Sequence, residues 1–274
     1  MAQVQGRCFQ HTSLAEIVDR HSMHEIGRSP RTLENGTLPC AEWHKTFAAI
    51  LIVAKALPHE SFFNFLAALL MEWHQSDVAQ LRVIDQLLAG HNLSPAEYDI
   101  ARRVIYATGD LEYLNLITYS EQALQSGVAA LAAHTPIVVD VTMVQVGVLS
   151  YTQNTFGNPI YCGAETFTRP QQEKSRIAFG IETLARRHPT AIFVLSSDHS
   201  ALEPLLTLVE AQEIRPALII DAAPNFLSPI LERLQKSWVP HIAIKGCKGG
   251  VSVATAIMNG LLKLAWTAYG DPLP

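Results

Sequence analysis

The residues best equipped for chemistry lie in a few short stretches. Lys245-Gly246-Cys247-Lys248-Gly249-Gly250 follows an apolar run and opens a long helical stretch. Its glycines would let a ligand approach the backbone closely, while helix amides and two ammonium groups face one spot. That arrangement suits an anion; a merely tight strand-to-helix turn is the equal alternative. The order is neither Gly-x-Gly-x-x-Gly nor a Walker pattern, so neither a dinucleotide nor a triphosphate is indicated. Arg169, Lys174 and Arg176 form a second basic cluster that could hold carboxylates, against a solvated helix face shared with Glu173. Tyr106 stands out by helical arithmetic: Ile100, Ala101, Val104 and Ile105 make one apolar face, and Tyr106 falls opposite, between Arg102 and Arg103. A phenol flanked by two guanidiniums could donate a proton or clamp a ligand, since the cations would favour its ionised form. The competing reading is an exposed or interface tyrosine.

Two other constellations carry less. His21 and His24, with His11 upstream, suggest a metal only weakly, because the His-Glu-x-x-His order is absent and a third ligand has no known register. No metal is assigned. Asp198-His199-Ser200 reads as an acid, base and hydroxyl only on paper, since neighbours in sequence seldom face one another. No Gly-x-Ser-x-Gly elbow supports a triad.

The elements that would position these groups follow from pattern. Residues 1–43 are polar and turn-rich, and His44–Leu57, Ser61–Trp73 and Asp77–Ala89 read as helices. Ser94-Pro95-Ala96-Glu97 is a capping box with Pro at the first helical position, opening a helix that stops at Gly109. Leu111–Leu116 and Glu121–Ala133 read as helices too. Short apolar runs then alternate with helical stretches: Pro136–Asp140, Pro159–Cys162, Ala191–Leu195, Ala217–Asp221 and His241–Ile244 as strands, and Gln171–Arg187, Ala201–Ala211, Phe226–Ser237 and Val251–Tyr269 as helices. The fold class is therefore α/β, a doubly wound, mostly parallel, Rossmann-like sheet of about five strands with an extra N-terminal helical segment. In such sheets ligands sit beyond the carboxyl ends of the strands, here Asp140–Met143, Ser196–Ser200, Asp221–Asn225 and Lys245–Gly250.

Composition narrows the function classes. The 274 residues are 49% apolar and 16% charged, which excludes disorder and implies that surface is hidden in an oligomer. A net charge of −5 gives no global positive field for nucleic acid or an acidic membrane. Lys55, Pro58, His59 and Glu60 split the greasiest stretch, Phe47–Trp73, into runs too short to span a bilayer. Four scattered cysteines and a polar start without signal-peptide order make the cytoplasm the expected location.

The order and spacing of several segments together resemble the precorrin-8X methylmutase (precorrin isomerase) family over roughly Met71–Ala268. They are Val104–Asp110, Gly127–Leu131, Pro136–Val144, Lys174-Ser175-Arg176, Ser200-Ala201-Leu202, Pro216–Ile220 and Lys248-Gly249-Gly250 with Asn259. The resemblance implies a homodimeric, cofactor-free isomerase of corrin synthesis. Such an enzyme moves a methyl group from C-11 to C-12 of precorrin-8 or cobalt-precorrin-8. It further implies Tyr106 in the proton donor's place, and Ser175, Arg176, Ser197, Ser200, Lys248, Gly249 and Gly250 as substrate-binding residues. The family's usual His is Tyr106 here, its Gly-Asn-Ala-Pro-Thr loop reads Ser196–Ser200, its Pro-Val-Gly-Phe turn reads Ala223–Phe226, and Val251 replaces a Ser. These departures fall on the ligand-facing loops, so the alternative is an impaired paralogue that binds or carries a tetrapyrrole. Residues 1–70 stand outside the resemblance as an added segment or an over-extended start, and residues 71–274 form the methylmutase-like domain.

Overall fold

The computed structural model describes residues 75–166, 175–197, 199–226 and 229–270. The expected helices before Gln75, the histidines at 11, 21 and 24, and Arg169, Lys174 and Asp198 lie outside them.

Helix α1 (Gln75–Leu87) leads to α2 (Pro95–Thr108), which begins as its sequence dictates. The Glu97 amide donates to Ser94 Oγ and the Ser94 amide to Glu97 Oε2, so two otherwise orphaned donors are satisfied reciprocally. Gly109 ends the helix at φ 70°, its amide donating to the Ile105 carbonyl. Helix α3 (Tyr113–Leu116) runs into β1 (Ile117–Tyr119). There follow α4 (Ala123–Ala132), β2 (Ile137–Val139), α5 (Thr142–Gln153), β3 (Ile160–Cys162), α6 (Arg176–Arg187), β4 (Ile192–Leu195), α7 (Leu202–Glu210), β5 (Leu218–Asp221), α8 (Ile230–Gln235), β6 (His241–Ile244) and α9 (Val251–Tyr269).

The strand order is β1-β6-β5-β4-β2-β3; β1 runs antiparallel to β6 and every other pair is parallel. All five expected strands are present. The sixth, β1, is an addition to the sequence reading: three residues, Ile-Thr-Tyr, carry no apolar run. Helix α5 was not marked in that reading either, although Val144, Val148 and Thr152 are buried at helical spacing.

β2, β4, β5 and β6 read as continuous apolar runs because both faces of the sheet are covered. Ile137, Val139, Ile192, Val194, Leu218, Ile220, Ile242 and Ile244 point into one core, shared with α2, α4, α5 and α9. Val138, Phe193, Leu195, Ile219 and Ala243 point into the other, shared with α6, α7 and α8. Among the described residues α9 alone is long and apolar enough to cross a membrane, yet Val253, Ala254, Ile257, Met258, Leu261, Leu262 and Ala265 are buried against its neighbours.

From β2 the chain moves to β3 on one side and then to β4 on the other. The carboxyl ends of β2 and β4 therefore flank the point where strand order reverses, the crevice in which such sheets bind ligands.

Candidate functional site

Asp140 caps β2 at that crevice and is fully buried. Its carboxylate accepts five hydrogen bonds: from the amide and hydroxyl of Ser196, the amide and hydroxyl of Ser197, and its own neighbour, the Val141 amide, at 2.7–2.9 Å. The charge is thus satisfied within the protein, and it ties the end of β2 to the end of β4. Ser197, expected to touch substrate, spends both its amide and its hydroxyl here.

Tyr106 is held differently from the sequence expectation. Arg102 pairs with Asp85 and Asp99, and buried Arg103 with Asp99. Neither guanidinium makes the phenol acidic. Tyr106 Oη instead donates to Asp77 Oδ1 at 2.7 Å. That hydrogen bond, with some desolvation and the negative charge of Asp77, pushes the phenol above its ordinary value. The correction is one of sign: Tyr106 stays protonated through neutrality and acts as a hydrogen-bond donor. It lines a cavity of about 360 Å³ with Arg103, Tyr151, Ser252, Thr255 and Asn259.

Lys248 reaches back across the sheet's edge to Asp110 Oδ2 and Glu112 Oε2, at 2.5 and 2.7 Å. The two carboxylates hold its ammonium well above the ordinary lysine range, and Lys248 keeps the Asp110 carboxyl below its own. The anion-binding charge expected of this loop is therefore already matched internally. Gly249 and Gly250 are required by the backbone. Gly249 has φ +147° and a Cβ there would stand 2.2 Å from the Ala222 carbonyl oxygen; the Gly250 amide donates to that same oxygen at 2.6 Å.

Ser175 and Ser200 meet, Oγ to Oγ, at 2.7 Å. Ser175 also caps α6, accepting from the Ala178 amide, and exposed Arg176 is the helix's first residue. The two serines line a cavity of about 410 Å³ with Glu182, Arg186, Glu203 and Thr207. Tyr106 and Lys248 thus lie by the α2–α9 layer, while Ser175, Arg176 and Ser200 lie by the α6–α7 layer. Tyr106 and the Ser175–Ser200 pair line different cavities.

Two groups at the same edge are absent from the expected site. Asp221 ends β5 at 1% exposure, and neither carboxyl oxygen receives a well-formed hydrogen bond. Burial pushes it up to about 7; the Ala223 amide pulls the other way and the Asp140 carboxylate adds to the rise. His199 Nδ1 is 3.7 Å from Asp221 Oδ2. The strand-end position of Asp221 was legible, but its pairing with His199 joins loops that only the fold brings together. Arg103 was likewise read as a flank of Tyr106 and not as part of its cavity.

Comparison with known proteins places this geometry. The family model described as precorrin-8X methylmutase matches residues 78–264. A cobalt-precorrin-8 methylmutase of Synechocystis is 35% identical over 199 residues, covering 67% of this chain and 92% of that protein. One of Leptospira interrogans is 29% identical over 199 residues, 67% of this chain and 90% of its own. The crystal structure of the precorrin-8X methylmutase from Thermus thermophilus superposes with a TM-score of 0.64 at 27% identity, over 71% of this chain and 99% of that one. The carboxyl-edge crevice, the Tyr106 cavity and the Lys248-Gly249-Gly250 turn all lie within the matched span, and this chain belongs to the precorrin-8X methylmutase family.

Proposed function

We propose that the chain is an isomerase acting on precorrin-8 or cobalt-precorrin-8, moving a methyl group from C-11 to C-12 of the ring in cobalamin synthesis. The observation that carries this reading is the match over residues 78–264, continuous from α1 to α9. A methyl shift of this kind needs neither nucleophile nor cofactor. It needs a hydrogen-bonded or protonated ring and a pocket shaped to the product. Tyr106, in the proton donor's place, polarises the conjugated system through its phenolic O–H. Ser175, Arg176, Ser197 and Ser200 engage the carboxylate rim on one side, and Lys248, Gly249 and Gly250 on the other. Ser197 and Lys248 do so while held by Asp140 and by Asp110 and Glu112.

The active form in this reading is a cytoplasmic homodimer, with residues 71–274 as the catalytic domain and residues 1–70 as an extension. Two observations support the dimer. The Tyr106 and Ser175–Ser200 cavities are separate and each small beside a tetrapyrrole. Helix α5 also exposes Met143, Val146 and Leu149 on one stripe, as an interface would need. Incubating the purified protein with precorrin-8 and with its cobalt form, while following the visible spectrum and the product, tests the reading. Product formation is expected; a spectral change without product would instead mark a tetrapyrrole carrier.

A further inference from the structure

The hydrogen bond between Tyr106 and Asp77 has a counterpart eight residues along each helix. The acids on α1 are Asp77 and Asp85, and the tyrosines on α2 are Tyr98 and Tyr106. Tyr98 Oη donates to Asp85 Oδ1 and Tyr106 Oη to Asp77 Oδ1, each at 2.7 Å. The chain order is reversed between the helices, as an antiparallel pair requires, and eight residues bring each helix round to nearly the same face. Leu81, one turn after Asp77, is buried and anchors that end of α1.

The two pairs are not equivalent. Asp85 also receives Arg102 at 3.2 Å, and Tyr98 stacks on His91 with ring centroids 3.9 Å apart. That pair is taken up by its neighbours and pins the register of α1 on α2. Tyr106 instead stands between two cavities. It lines the one of about 360 Å³ with Tyr151, Thr255 and Asn259, and another of about 410 Å³ with Val83, Leu87 and Leu111. The same phenol–carboxylate contact is structural in one pair and forms the wall of the candidate site in the other.

An ionised carboxylate has no hydrogen to give, so the single hydrogen of the Tyr106 phenol lies on Asp77. Asp77 sits in the first turn of α1, where the helix amides favour its charge. That charge polarises the O–H bond and makes Oη a stronger acceptor, with its lone pairs pointing away from the carboxylate. We propose that Asp77 is a positioning residue for the methyl shift: by taking the phenolic hydrogen it fixes the Tyr106 O–H dipole and turns the oxygen's lone pairs toward the bound ring, where they stabilise the protonated ring as the methyl group moves. A dipole aimed before the ring arrives needs no reorganisation when charge develops. Tyr106 touches the ring; Asp77 acts only through it.

The surroundings make the pair readable by titration. Among the described residues, Asp77 from α1 and Arg103 from α2 itself are the charged groups beside Tyr106, and α5 and α9 present the hydroxyls and amide of Tyr151, Ser252, Thr255 and Asn259. Arg103 is turned to Asp99. The hydrogen bond to Asp77 is the main reason that the phenol lies above its ordinary value, and the Asp77 charge adds to it.

This inference rests on the methylmutase reading, and the experiment separates the two. Wild type, Asp77→Ala, Asp77→Leu, Asp77→Asn, Tyr106→Phe and the Asp77→Ala, Tyr106→Phe double variant are assayed with precorrin-8 and its cobalt form, with Tyr98→Phe as the control pair. Alkaline titration by ultraviolet absorption, taken as the difference from the matching Tyr106→Phe protein, isolates the Tyr106 phenol without substrate. Asp77→Ala and Asp77→Leu are expected to lower kcat by about tenfold with KM within about threefold of wild type. Asp77→Asn, whose amide oxygen still accepts the hydrogen bond, should stay within about threefold of wild type in kcat. Tyr98→Phe should leave kcat unchanged, and Asp77→Ala should lower it no further once Tyr106 is Phe. The phenol should titrate at lower pH in Asp77→Ala, since the acceptor and the charge that raise it are gone. Whichever of Asp77→Ala and Asp77→Leu folds carries the test. Wild-type kcat in that variant, an equal loss in the Tyr106→Phe background, or an unmoved phenol titration would overturn the inference. Absence of product from wild type would instead overturn the methylmutase reading, with the phenol titration still reporting the Tyr106–Asp77 pair.

Discussion

At the scale of the residue, what decides the chemistry of an ionisable group is the nearest partner after folding, and Tyr106 illustrates it. Helical arithmetic places it between Arg102 and Arg103, but those guanidiniums turn to Asp85 and Asp99, and an acid from α1 takes the phenol. Removing the hydroxyl while keeping the ring should lower turnover without releasing the macrocycle. Tyr106→Phe is expected to cut kcat by about tenfold to 100-fold, measured by product formation, with substrate binding by visible absorbance within a few-fold of wild type. Asp221 gives a prediction about stability. Its folded form holds a proton more tightly than the unfolded chain does, so its contribution is complete below about pH 4 and is lost as pH rises to about 7. Relative to Asp221→Asn, wild type should lose at most on the order of 4 kcal/mol between those limits. Denaturant melts of both proteins at pH 4.5 and 8 check this; parallel curves would contradict it. The candidate residues were legible by type and position along the chain. Their partners were not, because Asp77, Asp110, Asp140 and Asp221 reach them only through packing.

At the scale of the element, the parts written in local chemistry were legible. Ser94-Pro95-Ala96-Glu97 caps α2 as its residues dictate, and Val251–Tyr269 forms a helix over the whole expected span. The five apolar runs became the five parallel strands, since burial on both faces demands such runs. β1 was hidden because its stability comes from β6, whose exposed edge it covers, and not from its own three residues. Helix α5 was hidden because its valines and threonines are β-branched and favour strands over helices. The β6–α9 turn is the element most tightly specified by a single residue. With φ at +147° and no room beside the Ala222 carbonyl, Gly249→Ala should destabilise the fold by about 2 kcal/mol or more. A thermal melt reads this directly, and a loss under about 0.5 kcal/mol would mean the turn can shift.

At the scale of the whole molecule, charge is scarce and its placement is economical. Of the 274 residues 16% are charged, and several of those charges are used in pairs that bridge elements: Lys248 to Asp110 and Glu112, Arg233 to Glu210 and Arg186 to Glu213. The apolar stripe on α5, Met143, Val146 and Leu149, is exposed. Val146 is 70% exposed there, so Val146→Glu should leave the far-ultraviolet circular dichroism unchanged while weakening self-association by about tenfold or more, read by sedimentation velocity across a dilution series. An unaltered assembly would count against the proposed α5 interface. The antiparallel edge has a further consequence, in time. β1 pairs with residues some 125 positions later, and α2 packs on α9, the last described helix. At translation rates of roughly 5–20 residues per second, that interval lasts on the order of ten seconds. The nascent chain therefore carries an uncovered apolar helix and an open strand edge throughout that interval, and the sheet can close only once β6 and α9 have been made.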